Sequence, residues 1–254
     1  MIVPRRYPDI RAGELKQAEE CAGEDTVRQW EAAFADFIGR KHAVAVGSGR
    51  EGMALALQSL GLPPGSEVIV PAYTLTDLLP IIRNSGLVPC CADIDPETFN
   101  VTAETIACRL TPRTGVVLAT HLFGNPCPIL SIIQLAESRG IKVIEDCAHS
   151  AGAEVDRRPT GAFGYAAFFS FETAKPINTY GGGMVVTDSS DLAGFLRSRI
   201  VGVHAVTDIR ARVRWARLES MMFRTGLAAI PLYLLATETT RRLMASLYRV
   251  VQRA

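Results

Sequence analysis

The chain has 254 residues, 48% of them hydrophobic and 21% charged, with a formal net charge of +1. That is the make-up of a globular protein with a sizeable core, and so small a global charge gives no reason to expect a nucleic-acid binder. No apolar run reaches the roughly 20 residues needed to span a bilayer, and the start, MIVPRRYPDIRAGELK, lacks the apolar core of a signal peptide, so a cytoplasmic location is expected by default.

In chain order, the apolar spacing of EDTVRQWEAAFADFIG predicts a helix ending at Gly39, and HAVAV at 42–46 a buried strand leading into GSGREG. MALALQSLGL has helical spacing up to Gly61, EVIVPAYT is a second strand ended by Pro71, and DLLPIIRNSG is helical again. VPCCADID reads as strand three, AETIACRL as a helix, TGVVLATHLFG as strand four, ILSIIQLAESRG as a helix and IKVIED as strand five. Strands alternating with helices of about ten residues predict a mostly parallel α/β sheet, whose ligands bind beyond the carboxyl ends of the strands. AAFFSF and GGGMVVTD then predict two short strands about a loop. Residues 1–190 are read as one large domain with an N-terminal helical segment. Residues 191–254 are read as a helical basic tail or the start of a smaller domain; nine arginines and two glutamates fall in 209–254.

The six cysteines, at 21, 90, 91, 108, 127 and 147, lack the paired C-x-x-C spacing of metal sites and read as reduced, mostly buried thiols, so no metal is expected. Lysine is scarce: Lys16, Lys41, Lys142 and Lys175 stand against 23 arginines. An ordinary surface cation at 175 would more often be arginine, whereas a lysine can shed its proton and attack a carbonyl. Asp146, 29 residues earlier, ends strand five. Together they would serve a Schiff base on pyridoxal phosphate with an aspartate on the pyridine nitrogen; taken alone, they read rather as a solvated carboxylate and a loop lysine.

GSGREG lies between a strand and a helix, where Gly49, Arg50 and Glu51 could offer backbone N–H groups to a phosphate or merely form a tight turn; neither the P-loop nor the dinucleotide spacing is present. Ser170 could hold a cofactor phosphate and His149 its ring oxygen, although a lone histidine is usually structural. A serine hydrolase is excluded by the lack of any G-x-S-x-G elbow.

These pieces occur in the order and wording of a known family. FADFIGRKHAVAVGSG, GSEVIVPAYT, CADIDPETFNV, LTPRTGVVLATHLFGNP, KVIEDCAHSAGA and GAFGYAAFFSFETAKPINTYGGGMVVTD, together about residues 34–188, resemble the DegT/DnrJ/StrS aminotransferases, pyridoxal-phosphate enzymes of fold type I that place amino groups on nucleotide-linked keto-sugars. The resemblance implies a three-layer α/β/α domain in a homodimer, with an amino-acid donor such as glutamate and a keto-sugar acceptor. It implies Lys175 as the Schiff-base lysine and proton carrier, Asp146 on the pyridine nitrogen, His149 beside the ring hydroxyl, Ser170 on the phosphate, and Gly49, Arg50 and Glu51 in the phosphate turn. Dehydratases of the family carry histidine in place of this lysine.

Four departures accompany the resemblance. Leu75 stands where relatives have an aromatic residue stacked on the ring. Relatives have Thr-Ala at the positions of Arg50 and Glu51. The cross-subunit asparagine loop has no counterpart in VGVHAVTDIRARVRWARLES, and relatives continue into a carboxy-terminal small domain, which makes a non-catalytic cofactor-binding or regulatory remnant the alternative expectation. A further alternative has Arg241, Arg242, Arg249 and Arg253 holding the tail on a membrane surface.

Overall fold

A computed structural model describes residues 24–200 and 209–224. The main compact unit spans Gly23–Ala205. Its elements are α1 (Glu24–Ile38), β1 (His42–Val46), α2 (Gly49–Ser59), β2 (Glu67–Pro71), α3 (Leu78–Asn84), β3 (Val88–Ala92), α4 (Ala103–Ala107), β4 (Thr114–Thr120), α5 (Ile129–Glu137), β5 (Lys142–Asp146), β6 (Glu154–Val155), β7 (Arg158–Pro159), β8 (Ala166–Ser170), β9 (Gly183–Thr187) and α6 (Ser190–Ile200). A further helix, α7 (Ile209–Arg224), belongs to a second unit; within it Val213 and Ala216, three residues apart, are buried. The expectations for Arg241, Arg242, Arg249 and Arg253 lie outside the described residues. No described helix is long and apolar enough to cross a membrane.

Seven strands form one sheet in the order β1-β9-β8-β5-β4-β2-β3. β8, β5, β4, β2 and β3 run parallel, whereas β9 is antiparallel to both its neighbours, β1 and β8. Successive strand residues point to opposite faces, and both faces are covered, so the strands read as unbroken apolar runs. Val68, Leu118, Ile144, Phe168 and Val185 pack on one face with Met53 and Leu57 of α2, Ile82 of α3 and Leu196 of α6. On the opposite face Ile69, Val117 and Val143 pack with Ile106 of α4 and Ile132 of α5. Beside them Phe169, Met184 and Val186 meet Phe34 and Ile38 of α1. The result is the expected three-layer α/β/α domain on a mostly parallel, mixed sheet.

The edge at β1 is closed by side chains. Glu31 of α1 accepts the Ala45 amide at 2.8 Å, and Arg197 of α6 donates to the Ala43 carbonyl at 3.3 Å while pairing with Glu31 at 3.0 Å. A strand edge left with open donors and acceptors invites another chain, and here two helices cover it. At the opposite edge, β3 leaves Cys91 exposed and Cys90 half-buried. Cys108 is also exposed, so of the described thiols only Cys127 and Cys147 are buried, fewer than the sequence suggested. All five are free.

Two differences from the sequence reading bear on the site. Helix α2 begins at Gly49 because Ser48 caps it: the Ser48 hydroxyl accepts the Glu51 amide at 3.1 Å. And the stretch between Asp146 and β8, which had no assigned structure, is a loop carrying the β6–β7 hairpin.

Candidate active site

The parity that buries Leu118, Ile144 and Phe168 on the α2 face carries through to the next positions on the same strands, Thr120, Asp146 and Ser170. Register ties them together: Thr120 is paired with Asp146, and Asp146 with Phe168. A row of polar side chains therefore runs along the carboxyl ends of β4, β5 and β8, where open α/β sheets bind ligands.

The amino end of α2 is brought against this row by glycines. A side chain on Gly49 would lie 3.1 Å from the Phe169 carbonyl oxygen and 3.1 Å from the Ser170 β-carbon. One on Gly183 would meet the Gly49 amide nitrogen at 2.6 Å and the Phe169 oxygen at 2.7 Å. A β-carbon on Gly183 could not fit without displacing backbone, and one on Gly49 would be tight enough to push its neighbours by a few tenths of an ångström. A bridge between Ser48 and Gly182 locks the two segments together, with Gly182 at φ 90°.

Lys175 lies in the loop between β8 and β9, its amide donating to the Glu172 carbonyl at 3.0 Å. The loop is closed at its base by Phe171, whose oxygen accepts the amides of Thr179 (3.0 Å) and Gly181 (3.1 Å) and whose amide donates to Gly182. The Phe171 ring is buried against Phe34 and Trp30, with centroids 5.5 and 5.7 Å away. The lysine is thus carried by a short loop whose base is part of the core.

Asp146 is 8% exposed, and its Oδ1 accepts the Ala148 amide at 3.0 Å. Burial pushes its carboxyl above the usual carboxylate range; the Ala148 hydrogen bond and the charge of Lys175 oppose that rise without cancelling it. Lys175 is therefore near enough to act electrostatically on Asp146. Next to Asp146 in the sheet, Thr120 is 5% exposed and its hydroxyl has no hydrogen-bond partner among the described residues. Buried hydroxyls are rarely left so, and such an atom calls for a partner.

His149 follows Asp146 by three residues, half-buried, with its ring parallel to that of Phe123 (5°, centroids 6.1 Å). Phe123 is 62% exposed and sits at φ 56°, a backbone region that costs a non-glycine residue energy. Tyr73 lies between Phe123 and Phe99, with centroids at 6.2 and 5.7 Å, and Phe99 has φ 61°. This exposed aromatic group, from the loops after β2, β3 and β4, escaped the sequence reading; the clue was that each residue follows a strand. Leu75, in the same region, is 55% exposed.

The GSGREG turn is differently arranged from what backbone donors alone would suggest. The Glu51 carboxylate curls back to accept the Gly47 amide at 2.8 Å, and the Arg50 guanidinium pairs with Asp77 at 2.8 Å, both side chains about half exposed.

On the opposite face of β5, Glu145 is fully buried and accepts the amides of Gly161 (2.8 Å), Phe163 (2.8 Å) and Gly164 (2.7 Å). His121 stands 3.1 Å from it through Nε2, while its Nδ1 accepts the Cys127 amide at 3.1 Å. The imidazole proton is therefore on Nε2 and is donated to Glu145. Burial pushes the Glu145 carboxyl up, but the hydrogen bonds from His121 and the glycine amides outweigh it, and the net direction is down. Cys147 completes a cluster with His121 and Glu145 whose ligand atoms lie within 4.8 Å of one another. Its thiol is held protonated by burial, and the other two groups already have their hydrogen bonds, so the cluster is a locked polar core rather than a metal centre. This pair too went unrecognised in the sequence.

Residues 11–222 match the DegT/DnrJ/EryC1/StrS aminotransferase family. The chain is 36% identical over 206 residues to a GDP-perosamine synthase of Caulobacter vibrioides, covering 75% of this chain and 56% of that protein. In structure it is similar to DesI, crystallised in the presence of its TDP-sugar product, with a TM-score of 0.73 and 35% identity over 80% of this chain and 53% of DesI. It is also similar to a GDP-4-keto-6-deoxymannose-3-dehydratase with a trapped PLP-glutamate geminal diamine (TM-score 0.69, 30% identity, 75% of this chain and 52% of that one). The chain spans about half the length of the curated relatives it matches. On the sequence match and the shared fold together, this chain belongs to the DegT/DnrJ/EryC1/StrS aminotransferase family.

Proposed function

We propose that the chain is the cofactor-binding core of a pyridoxal-phosphate-dependent aminotransferase that moves an amino group from an amino acid, glutamate, to a keto-sugar carried on a nucleotide, working as a homodimer. The observation that carries the reading is the buried Asp146, in a polar row with Thr120 and Ser170 at the carboxyl ends of β4, β5 and β8 and within the electrostatic reach of Lys175. Two features support the fit of the cofactor. Asp146 is a buried carboxylate held above its usual range, and a protonated ring nitrogen would supply the cation it lacks; Thr120 is a buried hydroxyl awaiting a partner.

Bound there, pyridoxal phosphate would supply an electron sink for the carbon that loses and gains a proton. The other tasks fall to this chain's own groups. The Lys175 amine would hold the cofactor covalently through its aldehyde and, once released, carry the proton between carbons. Asp146 would keep the ring nitrogen protonated, and its raised carboxyl makes it responsive to such a cation. Ser170 and the first amides of α2 would hold the phosphate, with the helix dipole favouring its charge. His149 would donate to or accept from the ring oxygen, and Leu75 would cover a ring face. Transfer in two half-reactions lets one site serve donor and acceptor in turn.

The dehydratase relative keeps the fold with other chemistry, so Lys175 decides which reaction is expected. The test is amino transfer from glutamate to a nucleotide-linked keto-sugar by the purified chain, and its loss in Lys175→Ala. Cofactor binding without transfer would support a non-catalytic cofactor-binding protein instead.

A further inference from the structure

The turn that would receive the cofactor phosphate already holds an anion of its own. Ser48 caps α2 by accepting the Glu51 amide, and the amides that open the helix have no acceptor within the helix itself. Glu51 is the third residue of that helix. Its carboxylate does not point away but folds back onto the Gly47 amide, 2.8 Å from Oε2, so near that a β-carbon on Gly47 would lie 2.6 Å from the same oxygen. The neighbouring Arg50 guanidinium pairs instead with Asp77 at 2.8 Å. Two carboxylates and one guanidinium thus surround a helix end whose dipole attracts negative charge.

We infer that the Glu51 carboxylate, folded onto the Gly47 amide beside the amino end of α2, sets how strongly the site discriminates for a phosphorylated cofactor over the same ring without phosphate. This rests on the functional reading above. A carboxylate at a helix amino end stabilises the helix, so Glu51 favours the fold without ligand. A phosphate carrying up to two negative charges must either face that carboxylate or displace it from Gly47, whereas a ring lacking phosphate meets no such cost. The chain therefore trades phosphate affinity for helix stability at one residue.

Glu51→Gln isolates the charge, since an amide oxygen can still accept from Gly47. Pyridoxal phosphate and pyridoxal are titrated separately into the 254-residue chain and into this variant, and binding is followed by the absorbance band above about 400 nm that a lysine-bound cofactor gives. Lys175→Ala serves as the control for attachment. The expected result is that the ratio of pyridoxal phosphate to pyridoxal affinity rises about tenfold in Glu51→Gln, with pyridoxal binding unchanged. In parallel, Glu51→Ala lowers the melting temperature of the ligand-free chain, and inorganic phosphate raises the melting temperature of Glu51→Gln more than that of the natural sequence. A Lys175-dependent band whose affinity ratio is the same with and without the Glu51 charge overturns the inference and leaves the functional reading standing. The absence of any Lys175-dependent band in every variant overturns both.

Discussion

Glu145 and Asp146 are adjacent carboxylates at the end of one strand, and they have opposite fates. Glu145 faces the α4–α5 side, where three amides and His121 surround it and hold its carboxyl low. Asp146 faces the α2 side, with one amide hydrogen bond and the charge of Lys175 to oppose burial, and its carboxyl is held high. The period-two geometry of a strand is what separates them. A buried charge that is fully hydrogen-bonded locks structure in place, whereas one left short of partners is poised to take a ligand's charge.

The comparison breaks most sharply if Lys175 is removed. Lys175→Ala is expected to abolish the cofactor band and lower amino transfer by about a thousandfold or more, while leaving the fold intact, because the base of its loop is held by Phe171 and not by the lysine. Next in size, Glu145→Ala leaves three amides and His121 without their acceptor and should cost about 3–5 kcal/mol of unfolding free energy, read by denaturant titration. Ser170→Ala removes one proposed phosphate donor and should weaken cofactor binding by about tenfold, with little change in melting temperature.

The smallest effect is the most discriminating. A carboxyl lowered on folding contributes stability above its unfolded pKa that is lost as pH falls through its folded pKa, so Glu145 stabilises at neutral pH and ceases to do so in acid. A carboxyl raised on folding does the reverse: it costs stability above its folded pKa, and the cost vanishes as pH falls. Asp146→Asn, which can keep the Ala148 hydrogen bond, should therefore raise the stability of the ligand-free chain at neutral pH by up to about 1 kcal/mol. The gain should fade on acidification, and cofactor binding should weaken. A melting temperature that falls at neutral pH would mean that Asp146 is a structural carboxylate like its neighbour.

Much of this was legible in the chain. The apolar runs gave β1 to β5, β8 and β9, because strands buried on both faces need no polar interruption, and Lys175 stood out because lysine is rare here. The strand order was not legible: β1 lies beside β9, a pairing between residues more than a hundred positions apart that no local pattern encodes. Nor was the division of labour between Glu145 and Asp146, since both follow the same apolar run and only the sheet's parity assigns their faces. Thr120 could have been found by extending that parity past Leu118. The inward fold of Glu51 could not, because a side chain's direction at a helix end depends on the turn that precedes it. Phe99 and Phe123 carry strain that appears only once their backbone is in place.

The central claim is that Lys175, among the four lysines of the chain, is the one that holds the cofactor. It is tested most directly by incubating the protein with pyridoxal phosphate, reducing with borohydride and mapping the modified peptide by mass spectrometry. The account predicts a single pyridoxyl adduct on Lys175. Modification spread over Lys16, Lys41 and Lys142 with Lys175 untouched, or no adduct at all, would contradict it.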